Sequence, residues 1–171
     1  MLRTAVLVLA LTTGSLGHAA PPPMQTVAAV DLERYAGKWY EIASMPMFFQ
    51  RNCVGDTTAE YTVRPDNTVG VNNRCRTKDG SIDSVSGAAT PVPGSNNAKL
   101  EVTFFSPIKG DYWIIGLDPE YRWAVVGAPS RKVLWILSRS PQLHKEDLNR
   151  AMASATAQGY TLEDLRFTPQ Q

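Results

Sequence analysis

Short apolar-rich runs alternate with clusters of polar turn residues along most of the chain. Pro, Asp, Asn and Gly dominate these clusters, for different reasons of backbone geometry. The runs follow one another at intervals of about ten to twelve residues, a spacing that favours an all-β barrel or sandwich. Eight strands are predicted, at residues 38–44, 57–63, 68–74, 81–89, 99–105, 112–117, 122–126 and 132–138.

Three segments depart from this strand pattern. Residues 31–35 predict a short helical turn across one end of the fold. Ser140 and Pro141 suit the cap and first turn of a longer helix, and Gly159 is a natural stop. Apolar residues recur on one face of this helix at Leu148, Met152 and Ala155. We expect the helix to lie outside the barrel, followed by a short strand at residues 162–167.

The N-terminal residues differ in kind from the rest. A positively charged start is followed by a short apolar run and a stretch of small residues, as in a secretory signal peptide. The apolar run is too short to span a bilayer, and no later apolar stretch is long enough to do so either. The predicted organisation is a signal peptide at 1–20, an extended leader at 21–30 and one domain at 31–171.

Charge excludes some classes of partner. The formal net charge is +1, and Lys and Arg are scattered without a block of like charge. The sequence therefore predicts neither a nucleic-acid-binding surface nor a polybasic membrane patch.

The chain has two cysteines, Cys53 and Cys75. An exported chain meets oxidising conditions, which favours a disulfide between them over two separate thiols. In the chain-entropy model, closing a loop of this size stabilises the folded state by roughly 3 kcal/mol.

Two motifs frame the strands: Gly37-Lys38-Trp39 at the first strand and Leu137-Ser138-Arg139 at the eighth. With the strands between them, the chain resembles the lipocalin family over residues 31–169, and within it the bacterial outer-membrane lipocalins and apolipoprotein D. The resemblance implies an eight-stranded antiparallel up-and-down barrel with one C-terminal helix packed outside. It also implies that Gly37 and Trp39 form the first family motif, and that Arg139 lies across the Trp39 indole at the closed end. Such a cation–π contact contributes about 0.5–2 kcal/mol.

The resemblance also bears on location. Lipid-anchored bacterial members carry a Cys just after the apolar region of the signal peptide, whereas the first Cys here is Cys53. We therefore expect an exported protein, periplasmic or secreted, without a lipid anchor; association with the outer membrane and a homodimer are left open.

Side-chain parity predicts which residues face the lumen. If Arg139 points inward, Leu137 and Trp135 do too, and Trp39 likewise brings Glu41 and Ala43 inside. Alignment with apolipoprotein D adds lining positions on three other strands, with Tyr112 and Ile114 as an inward pair. The predicted ligand-binding residues are Glu41, Tyr61, Asn73, Phe104, Tyr112, Ile114, Trp135 and Leu137.

An apolar, aromatic pocket with a few polar groups suits a fatty acid or lysophospholipid, with its tail buried and its head near the mouth. The alternative is that these aromatic side chains simply fill the core of a small barrel. Residues 45–49, Met-Pro-Met-Phe-Phe, predict a lid over the open end or a surface that touches membrane, or else a segment packed into the core.

The chain is poor in catalytic groups. His18 leaves with the signal peptide, so His144 remains, at the predicted exposed start of the helix. It provides neither a Ser-His-Asp set nor a zinc site, and a Cys nucleophile requires a free thiol. We predict no catalytic residue, metal or cofactor.

The predicted function is binding, storage or transport of a hydrophobic ligand in the bacterial cell envelope, in support of membrane maintenance. Two alternatives are kept. One is a lipocalin-fold enzyme that acts on a hydrophobic substrate, and the other is an envelope interaction protein with a filled barrel.

Overall fold

A computed structural model describes residues 22–171, and the predicted signal peptide lies outside them. Nine strands form one antiparallel sheet that closes into a barrel, because β1 pairs with both β2 and β8. The strands are β1 (Gly37–Ser44), β2 (Cys53–Val63), β3 (Val69–Thr77), β4 (Ile82–Pro91), β5 (Lys99–Phe105), β6 (Ile108–Leu117), β7 (Trp123–Gly127), β8 (Leu134–Ser138) and β9 (Arg166–Phe167). The helices are α1 (Leu32–Tyr35) and α2 (Lys145–Ala157), with a 3₁₀ turn at Phe48–Gln50.

The predicted fold class is confirmed. Strands β1 to β8 pair in chain order as an up-and-down barrel. The short β9 pairs with the C-terminal end of β1. Strand β5 has the predicted bounds, whereas β2 and β6 each begin four residues earlier than predicted. The β6 ladder continues into residues that were predicted as a turn, and the β2 ladder continues into residues for which no element was predicted.

Helix α2 begins later than predicted, so the proposed Ser140 cap is wrong. The Ser140 hydroxyl instead donates to the carbonyl of Gln142 at 2.6 Å, within a bend that follows β8. The helix starts at Lys145 and ends at Ala157. Gly159 then adopts a left-handed conformation (φ +82°), which agrees with the predicted stop.

Buried apolar residues form two clusters, one on each side of the barrel wall. Strand β8 shows the division, since Trp135 and Leu137 belong to the lumen cluster whereas Leu134 and Ile136 belong to the outer cluster. The outer cluster lies beneath α2, where Ala151 and Ala155 are fully buried. Its other helical members are the predicted Leu148 and Met152.

A glycine allows α2 to approach the barrel closely. A Cβ atom on Gly116 would lie 2.7 Å from the Cβ of Ser154 on the helix, which is closer than side chains tolerate.

Within residues 22–171, no helix has the length and apolarity needed to cross a bilayer.

The leader packs against the barrel although it has no regular secondary structure. Met24 and Val30 are buried, and the Val27 amide donates to the Ile114 carbonyl at 2.9 Å. Helix α1 follows directly, and the Asp31 carboxylate caps it.

The two ends of the barrel differ. Helix α1 and the β2–β3, β4–β5 and β6–β7 connections lie at the closed end. The 3₁₀ turn and the other four hairpin connections, including β7–β8, lie at the open end with β9. This polarity defines a floor and a mouth for the lumen.

Candidate ligand-binding site

The floor is built around Trp39, which is fully buried. The Arg139 guanidinium carbon lies 3.9 Å from the centroid of the Trp39 ring. Arg139 also donates to the carbonyls of Lys38 at 3.0 Å and of Arg34 at 2.6 Å, which ties β8 to β1 and α1. Gly37, at φ +89°, lies beside the guanidinium. The floor is therefore held by a cation–π contact together with charge-assisted hydrogen bonds.

Arg139→Ala is expected to lower the free energy of unfolding by roughly 1–3 kcal/mol, because the Trp39 contact and the hydrogen bonds to three carbonyls are lost together. Urea unfolding would measure the change. Arg74→Ala, at an exposed position on β3, serves as the control and should change stability little. An Arg139→Ala midpoint equal to that of the parent would contradict a stabilising role for this pair.

Three tyrosine side chains meet above the floor. The Tyr112 hydroxyl lies 2.8 Å from the hydroxyls of both Tyr35 and Tyr61, so the three form a hydrogen-bonded chain. Burial raises the pKa of Tyr61 to about 12 and holds the pKa values of Tyr35 and Tyr112 well above the ordinary value. All three are therefore neutral hydroxyls at physiological pH.

Tyr35 was not among the predicted lining residues. It lies on α1, where strand parity gives no information about direction. The signal that could have found it is its place in the helix that crosses the closed end.

Side chains fill the closed half of the lumen. The cavity beside the tyrosines has a volume of about 10 Å³, which is close to the space that one water molecule needs. Aliphatic residues line the rest of it, among them Val69, Val71 and Leu100. A ligand of any length must therefore lie nearer the mouth or displace these side chains.

Inward-facing residues of the lumen cluster differ in exposure. Ile114 and Leu137 are buried, whereas Phe104, Tyr112 and Trp135 are partly exposed although they belong to the lumen cluster. In a closed barrel, an inward side chain meets solvent through the lumen or the mouth. The upper lumen is thus lined by aromatic surface that protein atoms do not fully cover.

The Phe104 ring packs against a glycine of the adjacent strand β4. A Cβ atom on Gly87 would lie 2.7 Å from the Phe104 ring, so the ring rests on the bare backbone of β4.

Glu41 is 6% exposed, and both oxygens of its carboxylate accept hydrogen bonds from neutral donors. Its Oε1 accepts from the hydroxyls of Ser44 at 3.0 Å and Thr168 at 2.6 Å. Its Oε2 accepts from the side-chain amide of Gln50, in the 3₁₀ turn, at 2.9 Å. One carboxylate therefore connects β1, the turn at the mouth and the segment after β9.

Ala43 was predicted to face the lumen with Glu41, and this is wrong. Ala43 belongs to the outer cluster beneath α2. The register of β1 against β8 shifts between Glu41 and Ala43, and such a bulge reverses the faces of the residues that follow.

The segment that follows β9 closes a gap in the barrel wall. Regular pairing of β1 with β2 ends at Tyr40 and Thr58. Beyond that point, the Gln170 side-chain amide donates to the carbonyls of Glu41 and Thr57 at 2.8 and 2.9 Å. The side chain thus bridges the two strands where their ladder has opened. Sequence reasoning missed this, because no local pattern marks the segment as part of the wall.

Asn73 lies on β3 in register with Ala59 and Val85. Among the described residues, its Oδ1 is one of four buried side-chain atoms without a hydrogen-bond partner. The others are Gln50 Oε1, Asn72 Oδ1 and Trp123 Nε1.

Large exposed apolar side chains surround the mouth and are here named the apolar rim. Its members are Phe48, Phe49, Ile82, Phe105, Ile108 and Phe167, each more than half exposed. The segment 45–49 is divided, because Met45 is buried in the outer cluster whereas Phe48 and Phe49 project into solvent. The alternative in which residues 45–49 pack into the core therefore holds for Met45 but not for Phe48 and Phe49.

Cys53 and Cys75 form a disulfide that ties the start of β2 to β3 near the mouth, and no free thiol occurs in residues 22–171. The covalent mechanism that required a free Cys thus has no nucleophile there. His144 is exposed at the start of α2. The described part of the chain holds no group of three potential metal ligands.

Comparison with known proteins agrees with this architecture. A family described as "Lipocalin-like domain" matches residues 30–170. Temperature-induced lipocalin-1 of Arabidopsis thaliana is 41% identical over 86% of this chain and 83% of its own length. Outer membrane lipoprotein Blc of Escherichia coli K12 is 37% identical, over 99% of this chain and 98% of its own.

Similarity extends to an animal protein and to solved structures. Apolipoprotein D of Mus musculus is 32% identical over 91% of this chain and 84% of its own. Insecticyanin of the tobacco hornworm Manduca sexta has the same fold, with a TM-score of 0.71 and 22% identity over 88% of this chain and 86% of that one. On sequence and on barrel architecture, this chain belongs to the lipocalin family.

Proposed function

We propose that this protein binds, stores or transports a fatty acid or a lysophospholipid in the bacterial cell envelope, in support of membrane maintenance. The observation that carries the proposal is the pair of inward aromatic side chains, Phe104 and Trp135, that stay partly exposed above a filled floor. Membership of a family that binds small hydrophobic molecules supports it.

Burial of an acyl chain can supply the affinity. A chain of about a dozen methylenes offers roughly 10 kcal/mol at about 0.8 kcal/mol per CH₂. Lost freedom of the ligand and the protein opposes this by several kcal/mol. A Kd in the micromolar range or tighter is the expected result.

The direct test is titration of the purified, delipidated chain with a fatty acid and with a lysophospholipid. Trp135 is on the inner face, so tryptophan fluorescence should change as the ligand fills the upper lumen. Mass spectrometry of the gently purified protein should also detect a bound lipid. If no acyl ligand binds and no lipid co-purifies, the proposal fails and the filled-barrel interaction protein takes its place.

Location in the envelope is part of the proposal. Two features support it: the Cys53–Cys75 disulfide, which oxidising compartments favour, and the bacterial relatives named outer membrane lipoprotein.

The apolar rim supports transient contact with a lipid surface. Exposed apolar patches of this kind mark interaction sites, and the exposed cations Arg51, Lys78 and Lys132 share its end of the barrel. A mouth held against a bilayer would let an acyl chain enter without crossing water.

Replacing Phe48 and Ile108 together by Ser is therefore expected to lower the amount of protein that co-sediments with phosphatidylethanolamine–phosphatidylglycerol vesicles several-fold. The exposed side chains are 81% and 73% accessible, so the fold should be kept. His144→Ser, outside the rim, is the control. Equal sedimentation of all three proteins would exclude the rim as the contact, and a loss of self-association instead would identify it as a homodimer surface.

A further inference from the structure

We infer that Glu41 and Gln50 form a subsite for the primary ammonium group of a single-chain amphiphile. The inference deepens the proposed function and rests on it, because it concerns the polar head of a ligand whose acyl or alkyl chain lies in the upper lumen. It adds a charge requirement that the apolar pocket alone does not impose.

The position of Glu41 suits the head of such a ligand. Its carboxylate lies on the lumen side of β1, two residues along the strand from Trp39 toward the mouth, and its charge contributes to the raised pKa of Tyr61. Gln50 covers it from the turn at the mouth. Trp135 pairs with Ser44, one step nearer the mouth than the Glu41–Leu137 pair, so a chain beside Phe104 and Trp135 can place its inner end against Glu41.

Glu41 is a charged group in an apolar setting without a cation. Its three donors are two hydroxyls and an amide, and it makes no salt bridge with a Lys or Arg of the described segment. A buried carboxylate is costly unless it is paired and hydrogen-bonded. A bound cation would complete the pairing that the protein leaves open.

The acceptor count gives the preferred shape of that cation. Each carboxylate oxygen can accept about two hydrogen bonds, and Oε1 already has two whereas Oε2 has one. The Gln50 Oε1 is buried and receives no donor from the described residues, while the amide nitrogen on the same carbon binds Glu41 Oε2. Two acceptors with free capacity thus lie side by side, and an ammonium group has several N–H donors to offer them.

Electrostatics separate the candidate ligands. A fatty acid would bring its own carboxylate toward Glu41, and like charges at short range in an apolar site repel. An ethanolamine lysophospholipid or a long-chain alkylamine would bring an ammonium group instead. Both share the chemistry that the subsite recognises.

The experiment compares ligands with matched saturated chains on the delipidated full-length chain. The probes are a lysophosphatidylethanolamine, a lysophosphatidylglycerol, an alkylamine and a fatty acid, and isothermal titration measures Kd. The parent protein should bind the ethanolamine lipid about tenfold more tightly than the glycerol lipid, which corresponds to about 1.4 kcal/mol. Glu41→Gln should remove this preference while it leaves binding of the glycerol lipid intact.

Glu60→Gln is the matched control, because Glu60 is exposed on the outer side of neighbouring β2 and should keep the parent's preference. If Glu41→Gln fails to fold, Gln50→Leu provides the test, since it removes the second acceptor of the subsite and should reduce the preference. A preference for the alkylamine alone would assign the ammonium to a free amine rather than to a phospholipid head.

Equal affinity of the parent for the ethanolamine and glycerol lipids, together with no preference for the alkylamine over the fatty acid, would overturn the inference and leave the proposed function standing. So would a preference that survives in a folded Glu41→Gln variant. If none of the four ligands binds, the inference and the proposed function are both overturned. This outcome differs from binding without a preference for an ammonium group, which overturns the inference alone.

Discussion

Phe104→Asp is expected to abolish binding of acyl ligands while the chain still folds. Phe104 belongs to the lumen cluster and is partly exposed, so its ring contributes surface that a bound chain would cover. An aspartate there removes this surface and adds a carboxylate that an apolar ligand would have to desolvate. Desolvation of an unpaired charge costs several kcal/mol, so we expect affinity to fall at least 100-fold.

The neighbouring residue provides the control. Phe105 follows on the same strand but is 71% exposed on the other face, so Phe105→Asp introduces the same charge outside the lumen. The Kd for a soluble lysophospholipid should then stay within about twofold of the parent's value, since a surface substitution of this kind changes the free energy by less than about 0.5 kcal/mol. The Lys132 side chain, exposed at the mouth, should likewise be replaceable without effect.

Fluorescence titration and circular dichroism of the parent and of these variants check this prediction. A Phe104→Asp variant that folds and binds as tightly as the parent would show that the ligand does not enter the upper lumen.

Alkaline pH is expected to destabilise the protein strongly, through the tyrosines above the floor. The pKa of Tyr61 is about 12 in the folded state against 10.0 in the unfolded chain, chiefly because burial disfavours the charged phenolate. Below pH 10 Tyr61 is protonated in both the folded and the unfolded state, so its contribution to the free energy of unfolding is fully present. Between pH 10 and about 12 only the unfolded state loses its proton, so the free energy of unfolding falls as pH rises.

The size of this effect follows from the shift. Two pKa units correspond to about 3 kcal/mol for Tyr61 alone, and the pKa values of Tyr35 and Tyr112 are raised in the same direction. Urea unfolding across this pH range would measure the loss. Tyr61→Phe should make the slope shallower, because one group that ionises only on unfolding has been removed.

A slope equal to that of the parent in Tyr61→Phe would contradict the assignment, as would phenolate absorbance appearing in the folded protein near pH 10 for all six tyrosines. Both outcomes would mean that Tyr61 is not shielded from solvent in the folded state.

Local patterns predicted the strands and the packing of β8 well. Turn residues and apolar runs act over a few residues, and this is enough to locate eight strands and to give β5 its bounds. Parity also holds on a regular strand, so Trp135 and Leu137 face the lumen as predicted. The motifs at Trp39 and Arg139 carried the family resemblance, which supplied the barrel and its closed end.

Parity fails where the strand is irregular. The bulge after Glu41 turns Ala43 to the outer cluster, and nothing in the local sequence marks it. The start of the helix was also misplaced. The Ser140 hydroxyl binds a nearby carbonyl in a bend instead of capping a helix.

The sequence by itself determined the alternation of strands and turns, since this depends on side-chain type and short-range spacing. The family resemblance of its motifs supplied the contact between Trp39 and Arg139 at the floor. Only the tertiary structure decided how the polar groups of the lumen are arranged. Tyr35 meets Tyr112 from a helix 77 positions away, and Thr168 reaches Glu41 across 127 positions. Such contacts form because closure of the barrel brings distant segments together, and no period along the chain records them.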